Sequence, residues 1–151
     1  MIRARDIMTK DPVTVSPEME IVQAAKILLE RSINGVPVVD NEKLVGILCQ
    51  SDLISQQRRF PVPSVFTLLD GFIPLSSGKD IEKTVRKMAA AIVSDAMTVD
   101  PVTVNPVTEI EEIAGLMIDR NFHTIPVVEN EKLIGVIGKE DILKTLIPSS
   151  R

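Results

Sequence analysis

The chain has 151 residues, 44% hydrophobic and 25% charged, with a formal net charge of −4. This is the composition of a small globular protein, not of a disordered or fibrous one, and the acidic balance gives no electrostatic footprint for nucleic acid. Four Phe, no Trp, no Tyr, one Cys and one His exclude an aromatic base-stacking platform, a disulfide framework and a metal site of the usual zinc ligands.

The first six residues carry charge but lead into no apolar leader core. No run reaches the roughly 18 apolar residues of a membrane span. A soluble, cytoplasmic protein is expected, with neither a membrane nor a nucleic-acid partner. A repeat then orders the chain. Shifting the sequence by 89 lays residues 4–54 on 93–143 without a gap, with 22 identities in 51 pairs. Unrelated sequence would give about 3.

The first copy opens with Asp11-Pro12, which blocks helix, and a short extended piece, Val13–Val15. Ile21, Ala24, Ala25, Leu28 and Leu29 then mark one face of a helix, with Ser16 and Pro17 as candidates for its start. Val36–Val39 and Leu44–Leu48 form a hairpin around Asp40-Asn41-Glu42-Lys43. Pro37 inside the first run assigns that strand to an edge or to an irregular start. A last helix begins near Ser51.

Residues 60–92 connect the copies. Ile81, Val85, Met88, Ala89 and Ile92 predict an amphipathic helix over about 80–92, with Asp80 as its N-cap. Phe60 to Leu75 is apolar and cut by Pro61, Pro63 and Pro74. It reads either as a lid or as an exposed patch for a partner.

The second copy repeats the order. Val102–Val104 is extended, and Ile110, Ile113, Ala114 and Met117 mark the helix. Thr108 with Glu111 is a capping-box candidate. Ile125–Val128 and Leu133–Ile137 form the hairpin, and a helix begins near Glu140. The expected fold is α/β: two strand–helix–strand–strand–helix units, 1–59 and 93–151. Each is too small for a full core, so the two pack as one module.

Met8–Val15, Ile33–Val39 and Gly46–Asp52, repeated as Met97–Val104, Phe122–Val128 and Gly135–Asp141, resemble the motifs of the CBS domain. The pair resembles a Bateman module of the stand-alone, two-repeat type. That resemblance implies a regulatory homodimer, not an enzyme, acting in trans on an unknown partner. It implies no required cofactor but an adenosine-containing ligand, AMP, ADP, ATP or S-adenosylmethionine, bound between the repeats. The alternative is a ligand-free dimerising scaffold.

By resemblance, one cleft pairs Gly46, Ile47, Cys49 and Asp52 with Phe122, His123, Thr124 and Pro126. The other pairs Gly135, Val136, Gly138 and Asp141 with Ile33, Asn34, Gly35 and Pro37. The closing Asp of each motif is implied to hold the ribose hydroxyls. A carboxylate suits a vicinal diol because it accepts two hydrogen bonds, yet an Asp at a helix start is also simply a good cap. His123 reads as a phosphate donor or as a surface residue at a turn. Cys49 reads as a buried, inert thiol or as a redox site. Cys49 and Gly138 stand where family motifs usually carry Thr or Ser, which weakens phosphate binding in both clefts. No nucleophile triad or GxGxxG is present, and Gly78-Lys79-Asp80 lacks the spacing of a phosphate-cradling loop, so no catalytic residue is expected.

Overall fold

The computed structural model describes residues 1–59 and 91–147. The first copy runs α1 (Ala4–Ile7), β1 (Thr9–Lys10), α2 (Ile21–Glu30), β2 (Gly35–Asp40), β3 (Lys43–Cys49) and α3 (Gln50–Arg59). The second runs α4 (Val93–Ala96), β4 (Thr98–Val99), α5 (Ile110–Asp119), β5 (Thr124–Glu129), β6 (Lys132–Gly138) and α6 (Lys139–Lys144). The apolar stretch 60–75 and most of the helix expected over 80–92 lie outside the described residues. Ile92, expected at the end of that helix, instead forms a β-bridge with Glu20.

Each hairpin closes through a two-residue turn with both central residues at positive φ: Asn41 (49°) and Glu42 (67°), then Asn130 (53°) and Glu131 (65°). That is the type I′ geometry, whose twist matches the flanking strands. β2 and β5 are edge strands, the first of the two placements that Pro37 and Pro126 allow. The Pro37 carbonyl faces outward and accepts from Val15 N–H at 3.1 Å; Pro126 does the same for Val104. The proline nitrogen shares that outer side, so no ladder bond of the hairpin is lost. Val15 and Val104 are the extended pieces the sequence marks, each bridging its β2 or β5 strand in parallel.

The two hairpins share one sheet, linked by Lys43 opposite Lys132. Two cores lie under it. Leu28, Val36, Val38 and Leu48 centre the first, and Ile113, Ile125, Val127 and Ile137 the second. A fully buried Leu or Ile contributes about 1.5–3 kcal/mol.

Neither core is closed by its own repeat. Ala4 of the first copy is buried in the second core, and Val93 of the second copy in the first. β1 pairs with β6 and β4 with β3, so each short strand also crosses to the other copy. The backbone repeats this exchange. Ala4 N–H donates to Thr108 O at 2.8 Å and Ile110 N–H to Ile2 O at 3.0 Å. Their counterparts are Val93 N–H to Met19 O at 2.8 Å and Ile21 N–H to Ala91 O at 2.9 Å.

This exchange corrects the expected capping box. The cap of α5 is Glu109, not Thr108, and no side chain caps it. The carbonyl of Ile2 satisfies a free N–H of the first turn instead, in the place of a hydroxyl. The Thr108 hydroxyl turns back to accept from Asn105 N–H at 3.1 Å. Ser16 and Pro17 likewise precede the start of α2, whose cap is Glu20.

Candidate functional site

Both repeated Asp residues sit at the third position of a helix that follows a hairpin. Asp52 Oδ2 accepts from Cys49 N–H and Asp141 Oδ2 from Gly138 N–H, each at 2.8 Å. This is the helix-start role: a side chain reaching back to an otherwise unpaired N–H. It occupies one oxygen of each carboxylate. At Asp52 the second oxygen, Oδ1, accepts from the Thr98 hydroxyl of the other repeat at 3.2 Å. A carboxylate oxygen has two lone pairs, so Oδ1 keeps an acceptor site toward the seam.

A cleft of about 490 Å³ opens along that seam, within the rough range of 300–1,000 Å³ of small-molecule sites. Ile47, Cys49 and Asp52 come to it from the first copy, and Phe122, His123 and Thr124 from the second. Gly46 and Pro126, grouped with them by sequence, do not reach the wall. Gly46 lies beneath Met97 and Thr98, where an added Cβ would meet Met97 Sδ at 2.7 Å. Pro126 is buried in β5.

Asn34, assigned by sequence to the other cleft, lines this one. Gly35 is buried at the middle of the seam, where a Cβ would stand 3.2 Å from both Cys49 Sγ and the Thr124 hydroxyl. Ile33 packs on the first core, and Pro37 is buried in β2. Val136 lies opposite Thr9 in the exchanged strand pair, as Ile47 lies opposite Thr98. Gly135 lies beneath Met8. Gly138 and Asp141 form the equivalent helix start of the second copy.

The charges of the cleft include three the sequence reading did not select, Asp100, Arg120 and Lys139. Arg120 and Lys139 line it together with His123 and the carboxylates Asp52 and Asp100. Arg120 follows α5 as its C-cap and Lys139 begins α6, positions that read as ordinary solvated charge. Only the fold brings them to one cleft. Burial, and secondarily the Asp52 charge, push the Cys49 thiol up to about 11. It therefore stays protonated at neutral pH, a weak donor and a poor nucleophile. Among the described residues no group of three or more His, Cys, Asp or Glu could hold a metal ion. No helix among them is long and apolar enough to cross a membrane.

A family model described as "CBS domain" matches residues 4–59 and 93–148. The protein MJ1426 of Methanocaldococcus jannaschii is 29% identical over 154 residues, covering 95% of this chain and 90% of that protein. The inosine-5′-monophosphate dehydrogenase of the same organism is 34% identical over 144 residues. There the match takes in 94% of this chain but only 23% of the enzyme. Among solved structures, CBSX2 of Arabidopsis thaliana in complex with AMP is similar with a TM-score of 0.73 at 25% identity, covering 97% of this chain and 96% of that one.

Proposed function

The chain belongs to the CBS domain family, and from that premise we propose that it is a regulatory module that binds an adenosine-containing ligand in the Asp52 cleft. The observation that carries this reading is the pairing of opposite chemistries in one cleft. Asp52 offers a hydrogen-bond acceptor at the seam, and Arg120, Lys139 and His123 offer donors to a phosphate. Ile47 and Phe122 supply apolar surface for a base. A relative solved in complex with AMP supports the ligand class. The candidates are AMP, ADP, ATP and S-adenosylmethionine. The proposal gives the chain no catalytic role.

Binding at a seam provides the regulatory step. The ligand touches both repeats, so it favours whichever packing of the two it binds better, and it shifts the population by that difference alone. The output then passes in trans to a partner.

The same proposal makes the module a homodimer. Leu29 (75% exposed) and Ile118 (79%) occupy equivalent positions in the two copies, as do Ile54 (68%) and Leu143 (55%). Large apolar side chains exposed in matching pairs on the helices suit a self-complementary, two-fold contact.

Thermal unfolding with each of the four ligands tests the reading. At about 100 times Kd, one site adds about 2.7 kcal/mol, on the order of 5–10 °C for a chain of this size. No shift with any of them at millimolar concentration would leave the dimerising scaffold as the function.

A further inference from the structure

The 89-residue shift gives every lining residue of the Asp52 cleft a counterpart, and the repeat thereby implies a second groove on the other side of the pseudo-two-fold. Its wall can therefore be compared residue by residue. The charged residues Asp52, Asp100 and Arg120 of the first have Asp141, Asp11 and Arg31 as counterparts. Lys139 and Gln50 are each other's counterparts and both line the first cleft. One difference of charge remains. Ser51 lines the first cleft, and Glu140 stands at its place in the second.

The position of Glu140 gives that difference an effect. A Cβ placed on Gly138 would lie 3.3 Å from Glu140 Oε2 and 3.9 Å from Asp141 Oδ2. The two carboxylates therefore gather over Gly138, on the side where Cys49, its counterpart, carries a side chain. The Gly138 N–H is taken by Asp141 Oδ2 at 2.8 Å just as the Cys49 N–H is by Asp52 Oδ2, so the difference between the two sites is Glu140 itself.

We propose that Glu140 excludes anionic nucleotides from the second groove, so that the chain binds one nucleotide, in the Asp52 cleft. This rests on the reading of that cleft as the nucleotide site. A phosphate entering the second groove meets a like charge at close range, which weakens binding on the order of tenfold or more. Ser51 presents no such charge in the first cleft. A duplicated module thereby becomes single-site through one side chain.

Titration calorimetry with AMP tests this on the whole chain, with Glu140→Ser and Glu140→Gln. Glu140→Ser restores the residue of the first cleft, and Glu140→Gln keeps the length and removes the charge. Glu140 is exposed, so both variants should fold, which circular dichroism checks. The expected result is one AMP per wild-type chain and two per chain in each variant, the second within about tenfold of the first in affinity. Two AMP per wild-type chain overturn the inference and leave the Asp52 cleft as a site. One AMP in both variants also overturns it, because the charge is then not the barrier. A wild type that binds none of AMP, ADP, ATP and S-adenosylmethionine overturns the reading of the Asp52 cleft, and the inference falls with it; if it binds ADP or ATP but not AMP, the same stoichiometries are read with that nucleotide.

Discussion

Thr98 of the second repeat donates its hydroxyl to Oδ1 of Asp52 in the first, at 3.2 Å across the seam. The other oxygen of the same carboxylate holds Cys49 N–H. The helix start therefore uses Oδ2 and leaves Oδ1, shared with Thr98, as the acceptor the proposed ligand would use. This separates two substitutions. Asp52→Ala removes both roles and is expected to lower stability by about 1 kcal/mol as well as nucleotide affinity. Asp52→Asn can keep its amide oxygen on Cys49 N–H and present a donor where an acceptor stood. Its melting temperature should stay within a few degrees of wild type while AMP affinity falls at least about tenfold. Equal AMP affinity in Asp52→Asn and wild type, by calorimetry, would remove Asp52 from the site.

Cys49 makes stability depend on pH in the alkaline range. Its thiol ionises at about 11 when folded against an ordinary 9.0, through burial first and the Asp52 charge second. Between those values the unfolded chain has released the proton and the folded chain still holds it. Stability therefore falls as pH rises through that window. The melting temperature of the wild type should drop more steeply there than that of Cys49→Ser, which does not titrate. At pH 8, iodoacetamide should alkylate the folded protein at least about tenfold more slowly than the urea-unfolded chain.

Gly46 and Gly135 are fixed by close approach of the exchanged strands. An added Cβ would lie 2.8 Å from Thr98 O at Gly46, and 2.6 Å from Met8 Sδ and 3.0 Å from Thr9 O at Gly135. The sulfur can swing aside, but the backbone oxygens are held in the strand pair. Gly46→Ala and Gly135→Ala should each cost about 1–3 kcal/mol, read as a lower urea midpoint with unchanged slope. Stability within about 0.5 kcal/mol of wild type in both, the reach of an ordinary surface change, would mean that the exchanged strands yield easily.

Leu29 and Ile118 test the dimer. Leu29→Glu with Ile118→Glu places four charges on the paired faces of a two-fold contact. Sedimentation velocity should show the wild type as a dimer and the double variant as a monomer with an intact helical signal. A wild type that sediments as a monomer at tens of micromolar would exclude this surface as a stable interface.

Much of this architecture could be read before any coordinates. The repeat gave both hairpins and both amphipathic helices, because Asn41-Glu42 and Asn130-Glu131 match the turn and the apolar stripes match the helix period. The proline positions restricted β2 and β5 to an edge or an irregular start, because a missing N–H is a local fact. The exchange of Ala4 and Val93 was not legible. Each lies in a short segment whose partner is 104 residues away for Ala4 (Thr108) and 74 for Val93 (Met19), and no local pattern encodes such distances. The same non-local contact displaced the Thr108 cap, since a backbone carbonyl took its role. At the seam, Ile47, Cys49 and Asp52 were placed with Phe122, His123 and Thr124 by resemblance alone. Arg120 and Lys139 were missed because each ends or begins a helix, where positive or mixed charge is unremarkable. Residues 60–75 remain an expectation only.

The traded N-terminal segments set the smallest unit that can stand. A lone half would hold a socket with nothing in it and a plug with nowhere to go, and two such halves could satisfy each other only by pairing about a two-fold axis. Covalent fusion therefore changes the concentration each half experiences, not the contacts it makes.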